Sequence, residues 1–233
     1  MAQQLFKWKH FGSEIIILCV RWYLKYPLSY RMLVEMMGER GIQVSHATIM
    51  RWIHQYAPII DEKISKYLKP TNDSWRLDET YLKIKGKNSY LYRAVDSNGN
   101  TIDFFVSEHR DKDAAKSFFK KALQSSHNQQ PRIITTDQYA ATEIALHELI
   151  YSRILSVGTS IRKTKYLNNI IEQDHRFIKR KTRPMMGFSS LKTAQNTICG
   201  IEIMHMLRKG QVGEIQCALS EVAFINRIMG IVA

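Results

Sequence analysis

Residues 74–107 read SWRLDETYLKIKGKNSYLYRAVDSNGNTIDFFVS, and this stretch decides the fold. Two of its segments, Ser74 to Lys85 and Ser89 to Asp96, are rich in β-branched and aromatic residues, which predicts two strands. The polar run from Asp96 to Asn100 has the composition of a turn, and a third strand is predicted from Thr101 to Ser107. The stretch therefore predicts a meander of three strands.

The residues after this meander alternate between helix and strand. A short apolar strand is predicted over Ile133–Thr136, and the stretch between Tyr151 and Asn169 is poorly defined. Helices are predicted over Asp111–Leu123, Ala140–Tyr151, Asn169–Lys181 and Leu191–Lys209. Three strands followed by helix, strand and helix give a mixed α/β domain. The ribonuclease-H-like architecture has this order, although periodicity alone does not single it out.

The first 70 residues are predicted to be helical. Three helices are expected, over Glu14–Lys25, Tyr30–Arg40 and His46–Tyr56. Pro58 is taken as the end of the third helix. The second and third helices have the layout of a helix-turn-helix, in which the first residues of the later helix meet DNA base edges. That layout makes His46, Thr48 and Arg51 candidate DNA contacts, and an ordinary helical hairpin with a polar face is the alternative.

The charge of the chain favours a polyanionic partner. Its 34 Lys and Arg against 21 Asp and Glu leave a formal charge of +13, which suits nucleic acid or an anionic membrane. The early apolar run Ile15–Val20 ends at Arg21 and is too short to span a bilayer, so no membrane partner and a cytoplasmic location are expected. Three widely spaced cysteines, without a CxxC pair, disfavour a disulfide framework or a zinc site.

Asp78 stands in the middle of the first predicted strand. Aspartate is disfavoured there, and burying its carboxylate is costly unless a cation or a hydrogen-bond donor compensates. An edge strand with Asp78 in solvent is the alternative. Glu79 is expected to point to the opposite face, so that only one of the two acids joins a given site.

Two further acids lie where a site could form. Asp137 follows the strand Ile133–Thr136, at the carboxyl end where ligands gather in α/β sheets, although a turn or helix-cap aspartate is as good an interpretation. Glu172 shares a predicted helix face with the bases His175, Arg176 and Lys179, which also fits a solvated set of salt bridges. Three such carboxylates could hold two Mg²⁺ ions for phosphoryl transfer.

Several stretches of the sequence together are specific to one family. They are Arg21-Trp22-Tyr23-Leu24, Leu28-Ser29-Tyr30-Arg31, Asp78-Glu79-Thr80-Tyr81, Tyr90-Leu91-Tyr92-Arg93-Ala94-Val95-Asp96, Tyr166 to His175 (YLNNIIEQDH) and Gly200-Ile201-Glu202. With these motifs the chain resembles the insertion-sequence-six family of bacterial DDE transposases over nearly its whole length.

The resemblance implies a ribonuclease-H-like catalytic domain with a metal-binding triad. By motif, the triad falls on Asp78, Asp137 and Glu172, with 34 residues between the last two. The implied metal is Mg²⁺, for which Mn²⁺ could substitute. A basic residue seven positions after the glutamate is usual in the family, and here it is Lys179. The family also implies formation of cointegrates, and therefore replicative transposition.

The expected organisation has three parts: a helical N-terminal domain (1–70), the catalytic domain (71–210) and a C-terminal helical tail (211–233). The tail could pack on the core or on a second subunit, and both remain open. Expected partners are double-stranded DNA, as terminal inverted repeats and target DNA, and further copies of the chain in a homodimer or larger assembly on the bacterial nucleoid. Expected phosphate-binding residues are Lys165, Arg176, Lys179 and Arg180.

Two departures from the family pattern leave other functions open. Gln138-Tyr139 follows Asp137 where many relatives have a lysine, and the stretch Tyr151–Thr164 is atypical. The alternatives are a DNA-binding regulator with structural acids, a catalytically degenerate copy, and a metal-dependent nuclease that cuts DNA without joining it.

Overall fold

The computed structural model describes residues 5–137, 139–163 and 169–231. The chain divides into two compact units, one formed by Met1–Leu68 together with Asn196–Ala233 and the other by Lys69–Gln195. The expected three-part division stays a prediction. No helix in the described part of the chain is long and apolar enough to cross a membrane.

The first unit is helical. Its helices are α1 (Ser13–Lys25), α2 (Tyr30–Gly38), α3 (His46–Ser65), most of α7 (Leu191–Arg208) and α8 (Ala218–Met229). The Ser29 hydroxyl accepts a hydrogen bond from the backbone N–H of Met32, and the Ser45 hydroxyl accepts one from that of Thr48. These caps set the starts of α2 and α3. The turn between these two helices contains Gly41, whose φ of +73° favours glycine.

Pro58 lies inside α3, so the helix end predicted at this proline is wrong. Proline lacks the N–H that would bond to the carbonyl four residues earlier, which is that of His54. Instead, Nδ2 of Asn196 donates to this carbonyl at 3.0 Å. Because a side chain distant in sequence satisfies the carbonyl, and Ile60 and Ile64 are fully buried, the helix continues through the proline.

The C-terminal helix α8 packs within the first unit. Phe224 and Ile225 are buried. The carboxylate of Glu221, also buried, accepts hydrogen bonds from Arg21 at 3.3 Å and from Lys25 at 2.6 Å, both on α1. The apolar face of α8 and one buried carboxylate therefore attach this helix to its own chain.

The second unit contains a five-stranded sheet in the order β3-β2-β1-β4-β5. The strands are β1 (Ser74–Ile84), β2 (Lys87–Asp96), β3 (Thr101–Ser107), β4 (Ile133–Thr136) and β5 (Ser160–Lys163). The first three form the predicted antiparallel meander, while β4 runs parallel to β1 and β5 parallel to β4. Strand β5 was not predicted, because its four residues lack the apolar alternation of a buried strand.

Helices cover both faces of this sheet. They are α4 (Lys112–Gln124), α5 (Ala140–Tyr151) and α6 (Asn169–Thr182). Trp75 and Leu77 of β1 form one buried cluster with Phe118 of α4 and Leu146 of α5. Asp78 points to the other face, where α6 packs against β1 and β2. The predicted mixed α/β, ribonuclease-H-like fold is confirmed.

Candidate active site

Asp78 and Asp137 come together through the pairing of β1 with β4. The parallel register ends with Arg76 opposite Thr135, and its extension by two residues places Asp137 beside Asp78. Strand β4 itself ends at Thr136. Asp137 therefore lies just beyond the sheet, next to the middle of β1, and its side chain is 36% exposed.

Asp78 has an imidazole and a guanidinium as neighbours on its face of the sheet. Its Oδ2 lies 3.1 Å from Nε2 of His175 on α6. Its cross-strand partner is Arg93, which is fully buried and donates to Asp174 of α6 at 2.7 Å. The compensation that a mid-strand carboxylate requires is therefore present.

Glu79 also reaches Asp137, so the expectation that only one of the adjacent acids joins the site is wrong. One oxygen from each of Asp78, Glu79 and Asp137 lies within 4.8 Å of the other two. Alternation along β1 does send Asp78 and Glu79 to opposite faces. Because β4 ends at Thr136, its backbone does not separate the two faces beside Asp137, and both side chains can turn toward this acid.

Arg110, in the loop after β3, bridges Glu79 and Asp137. Its Nη2 atom donates to Glu79 at 3.2 Å and to Asp137 at 3.0 Å. The guanidinium also lies 3.9 Å from the centre of the Tyr139 ring, and the Tyr139 hydroxyl donates to the Arg110 carbonyl at 2.8 Å. Stacking and hydrogen bonds together hold this arginine in place.

Glu79 is the most deeply buried acid of the cluster. Its side chain is only 4% exposed, and Thr142 of α5 donates to it at 3.3 Å. Burial raises the pKa of Glu79 to about 7, and the charge of Asp137 adds to the rise, while Arg110 opposes it. Glu79 therefore holds its proton to a higher pH than an exposed glutamate does.

Glu172 lies outside this cluster. It is exposed in the first turn of α6, one helical turn before His175, which contacts Asp78. Of the predicted triad, the structure thus brings Asp78 and Asp137 together and places Glu172 on the helix that faces them.

The predicted phosphate contacts lie mostly on α6. Arg176 and Arg180 are exposed and Lys179 is half-buried, so these bases project from the helix that also carries Glu172. Lys165 lies outside the described residues.

The predicted base-reading residues begin α3. His46 and Arg51 are exposed, and Thr48 is half-buried with its hydroxyl 2.9 Å from that of Ser45. Ile49 lies in the core on the opposite side of the helix, so an outward polar face is present at the start of α3.

The acidic cluster fits a divalent metal. Its three donors are carboxylates, and oxygen donors are those that Mg²⁺ and Mn²⁺ prefer. Thiolates, which soft metals prefer, do not contribute, because Cys19, Cys199 and Cys217 all lie outside the cluster.

Sequence reasoning missed Arg110 and the presence of Glu79 in the acidic cluster. The adjacency of Glu79 to Asp78 was a usable signal, but strand alternation argued against it. Nothing in the sequence pairs Arg110 with either acid, because the loop after β3 approaches β1 and Asp137 only once the sheet has formed.

Comparison with known proteins places the chain in a family. Among solved structures, the catalytic core domain of HTLV-2 integrase in complex with magnesium, in a trimeric form, has a TM-score of 0.44 and 18% identity, covering 57% of this chain and 84% of that one. The family model DDE_Tnp_IS240, a DDE domain, matches residues 72–211. The transposase for the insertion sequence-like element IS431mec of Staphylococcus aureus strain Mu50 is 43% identical over 205 residues, which cover 88% of each chain. The transposase for insertion sequence element IS257 in transposon Tn4003, also from Staphylococcus aureus, is 42% identical with the same coverage. From the family model and these two relatives, the chain belongs to the insertion-sequence-six family of DDE transposases, which are polynucleotidyl transferases.

Proposed function

We propose that this transposase nicks DNA at the ends of an insertion sequence and joins each freed 3′-hydroxyl to target DNA. The observation that carries the proposal is the convergence of Asp78, Glu79 and Asp137 at one sheet edge, facing a helix rich in bases. Carboxylates suited to divalent cations, set beside groups suited to phosphates, are what metal-assisted phosphoryl transfer requires.

The proposed metal ligands are Asp78, Asp137 and Glu172, with Mg²⁺ as the ion and Mn²⁺ as a substitute. The assignment of Asp78 and Asp137 is supported by their carboxylate oxygens, which lie within 4.8 Å of each other. Glu172 is assigned by its motif and by its place one helical turn before His175, which contacts Asp78. Two bound cations would stabilise the attacking and the leaving oxygen of an in-line displacement.

The chemistry proceeds in two displacements at phosphorus. In the first, a water oxygen bonds to the phosphorus at the element's end, and the bond to the 3′-oxygen breaks, leaving a 3′-hydroxyl. In the second, this hydroxyl attacks a target phosphodiester and releases a target 3′-hydroxyl. One phosphodiester replaces another, so joining needs neither ATP nor a covalent protein intermediate. Joining without second-strand cleavage leads to replicative transposition with cointegrates.

DNA would be held by two sets of groups. Lys165, Arg176, Lys179 and Arg180 are the proposed phosphate contacts near the acids. At the start of α3, His46, Thr48 and Arg51 are the proposed contacts to the terminal inverted repeats. Phosphate contacts of this kind make binding weaken steeply with salt.

Holding two element ends and the target at once requires more than one copy of the chain. We therefore propose a homodimer or a larger assembly on double-stranded DNA, acting in the bacterial cytoplasm at the nucleoid.

One joining assay tests the function. Purified protein, labelled duplexes that carry the element's ends, supercoiled plasmid and Mg²⁺ should give a labelled joined product. Asp78→Asn, Asp137→Asn and Glu172→Gln should each abolish joining and leave DNA binding intact. The control is Glu148→Gln, a half-buried acid of α5 that lies outside the acidic cluster and pairs with Lys112 and Lys116, and this variant should join normally.

The outcomes separate the alternatives. Binding to the ends without Mg²⁺-dependent cutting would identify a regulator or a degenerate copy, and cutting without joining would identify a nuclease. Glu79→Gln tests whether Glu172 or Glu79 completes the ligand set with Asp78 and Asp137. Joining that survives Glu79→Gln but not Glu172→Gln supports the proposed triad. Joining that survives Glu172→Gln but not Glu79→Gln would replace Glu172 by Glu79.

A further inference from the structure

A groove in the second unit lies along β1 beyond the acidic cluster. Its volume is about 500 Å³. It is lined by Thr80, Tyr81, Leu82, Lys83, Asn88, Lys179, Thr182, Arg183, Met186, Gly187 and Phe188. A site of this volume matches a small organic ligand or a single nucleotide, and it is too small for a DNA duplex.

The groove adjoins the proposed reaction centre on two sides. Thr80 is two residues beyond Asp78 on β1, a separation of about 7 Å along a strand. Lys179 is two helical turns beyond Glu172 on the same face of α6, about 10 Å along the helix. A strand whose phosphate lay at the acids would therefore reach the groove within its next nucleotides.

One wall of the groove is held rigidly by backbone contacts. The N–H of Phe188 donates to the carbonyl of Lys83, and the N–H of Lys85 donates to the carbonyl of Phe188, both at 2.8 Å. Gly187 has a φ of +121°, and a Cβ there would lie 3.0 Å from the carbonyl oxygen of Lys83. The close approach therefore requires glycine, and the groove is formed before a ligand arrives.

The lining combines positive charge with exposed apolar surface. Lys83, Lys179 and Arg183 supply cations, and no acid is among the described residues that line the groove. Tyr81 is 61% exposed and Met186 is 87% exposed. Cations suit phosphate oxygens, and an exposed aromatic ring offers a stacking surface to any base.

We propose that this groove binds an unpaired nucleotide of the DNA strand next to the phosphate at the reaction centre. The base stacks on Tyr81 against Met186, and Lys83 and Arg183 join Lys179 in holding the adjoining phosphates. The Tyr90 ring packs against that of Tyr81, with ring centres 5.3 Å apart. The inference rests on the proposed DNA-joining function and adds a subsite for single-stranded DNA.

Binding to a fluorescent DNA end tests the groove. The probe is a duplex with a short single-stranded 3′ overhang that carries 2-aminopurine, compared with the blunt duplex of the same sequence, both without divalent cation. The wild type should bind the overhang more tightly and quench its fluorescence by stacking. Tyr81→Ala should weaken overhang binding about 5- to 100-fold, remove the quenching and leave blunt-end binding unchanged.

Two matched variants complete the test. Tyr81→Phe keeps the ring and should behave as the wild type. Tyr151→Ala removes a tyrosine of the same unit that is 92% exposed and outside the groove, and it should change neither probe. Lys83→Gln should lower the slope of log affinity against log salt by about 1 for the overhang probe.

The proposal is overturned if the wild type binds both probes equally, or if Tyr81→Ala weakens both alike or neither. Because no joining occurs without a divalent cation, these results are independent of catalysis. Overhang binding through Tyr81 in a protein that never joins DNA would refute the proposed function and leave the nucleotide subsite standing.

Discussion

Removal of Arg110 is the most informative perturbation of the candidate site. This guanidinium contacts both Glu79 and Asp137 and is the cation that the structure places between them. Arg110→Ala leaves two carboxylates close together, one of them almost fully buried. In the absence of metal, we expect the variant to be less stable than the wild type. A divalent cation should restore much of the lost free energy of unfolding.

The size of the effect follows from burial. Removal of one partner of a fully buried ion pair costs roughly 3–5 kcal/mol. Here Arg110 is 27% exposed and Asp137 36% exposed, and Glu79, whose pKa is already raised to about 7, can take up a proton. We therefore expect a loss of about 2 kcal/mol, or a melting temperature lower by about 4–8 °C for a chain of this size.

The assay is thermal and urea unfolding across a titration with Mg²⁺. A cation that binds only the folded protein stabilises it as its concentration exceeds its dissociation constant. In the wild type the metal must first displace Arg110 from Asp137, so Mg²⁺ should stabilise Arg110→Ala more than the wild type. The difference between the two proteins should shrink as Mg²⁺ rises.

Two comparisons make the result specific. Glu79→Gln added to Arg110→Ala should recover most of the lost stability, because one of the two repelling charges is gone. Lys112→Ala removes a nearby cation whose ion pair with Glu148 is 40% exposed on both sides, and it should cost less than about 1 kcal/mol at any Mg²⁺ concentration. A gap between wild type and Arg110→Ala that Mg²⁺ leaves unchanged would refute the reasoning.

Three further outcomes are expected from unfolding experiments. Asn196→Ala should lower the free energy of unfolding by about 1 kcal/mol, because the carbonyl of His54 loses its donor. In a Pro58→Ala background, where the backbone N–H returns, the same change should cost almost nothing. Additive losses of the two variants in urea unfolding would contradict this. Glu221→Gln should cost about 3 kcal/mol, because two cations of α1 lose their buried counter-charge; a urea-unfolding loss below about 1 kcal/mol would contradict it. Burial lowers the pKa of His127 below its ordinary 6.5. The unfolded chain therefore takes up the proton first, and the free energy of unfolding falls as the pH drops through that value. In urea unfolding at several pH values, His127→Gln should flatten this fall, and an unchanged slope would contradict the prediction.

Local patterns predicted most of the elements. The β1–β3 meander follows from alternating β-branched and aromatic residues with a polar turn, and α2 and α3 begin at the predicted residues, Tyr30 and His46. These signals act over a few residues, so they can be read without knowing what packs against them. The adjacency of Asp78 and Asp137 was expected from the family motif, and the extended β1–β4 register accounts for it physically.

The signals that failed depend on distant partners. Pro58 stops a helix in isolation, but Asn196 satisfies the carbonyl that the proline leaves free. Strand β5 has no buried alternation of its own and exists because β4 offers it a paired edge. In both places a contact far along the chain outweighs the local preference.

By itself the sequence determined the fold class, the family and the positions of the motif acids, because composition, periodicity and motif spacing are properties of neighbouring residues. Only the tertiary structure decided that Glu79 joins Asp78 and Asp137 and that Arg110 bridges Glu79 and Asp137. It also decided that a cationic groove with an exposed tyrosine lies farther along β1. These arrangements depend on where β4 ends and on which loops then reach the open edge of β1, and packing rather than local preference sets both.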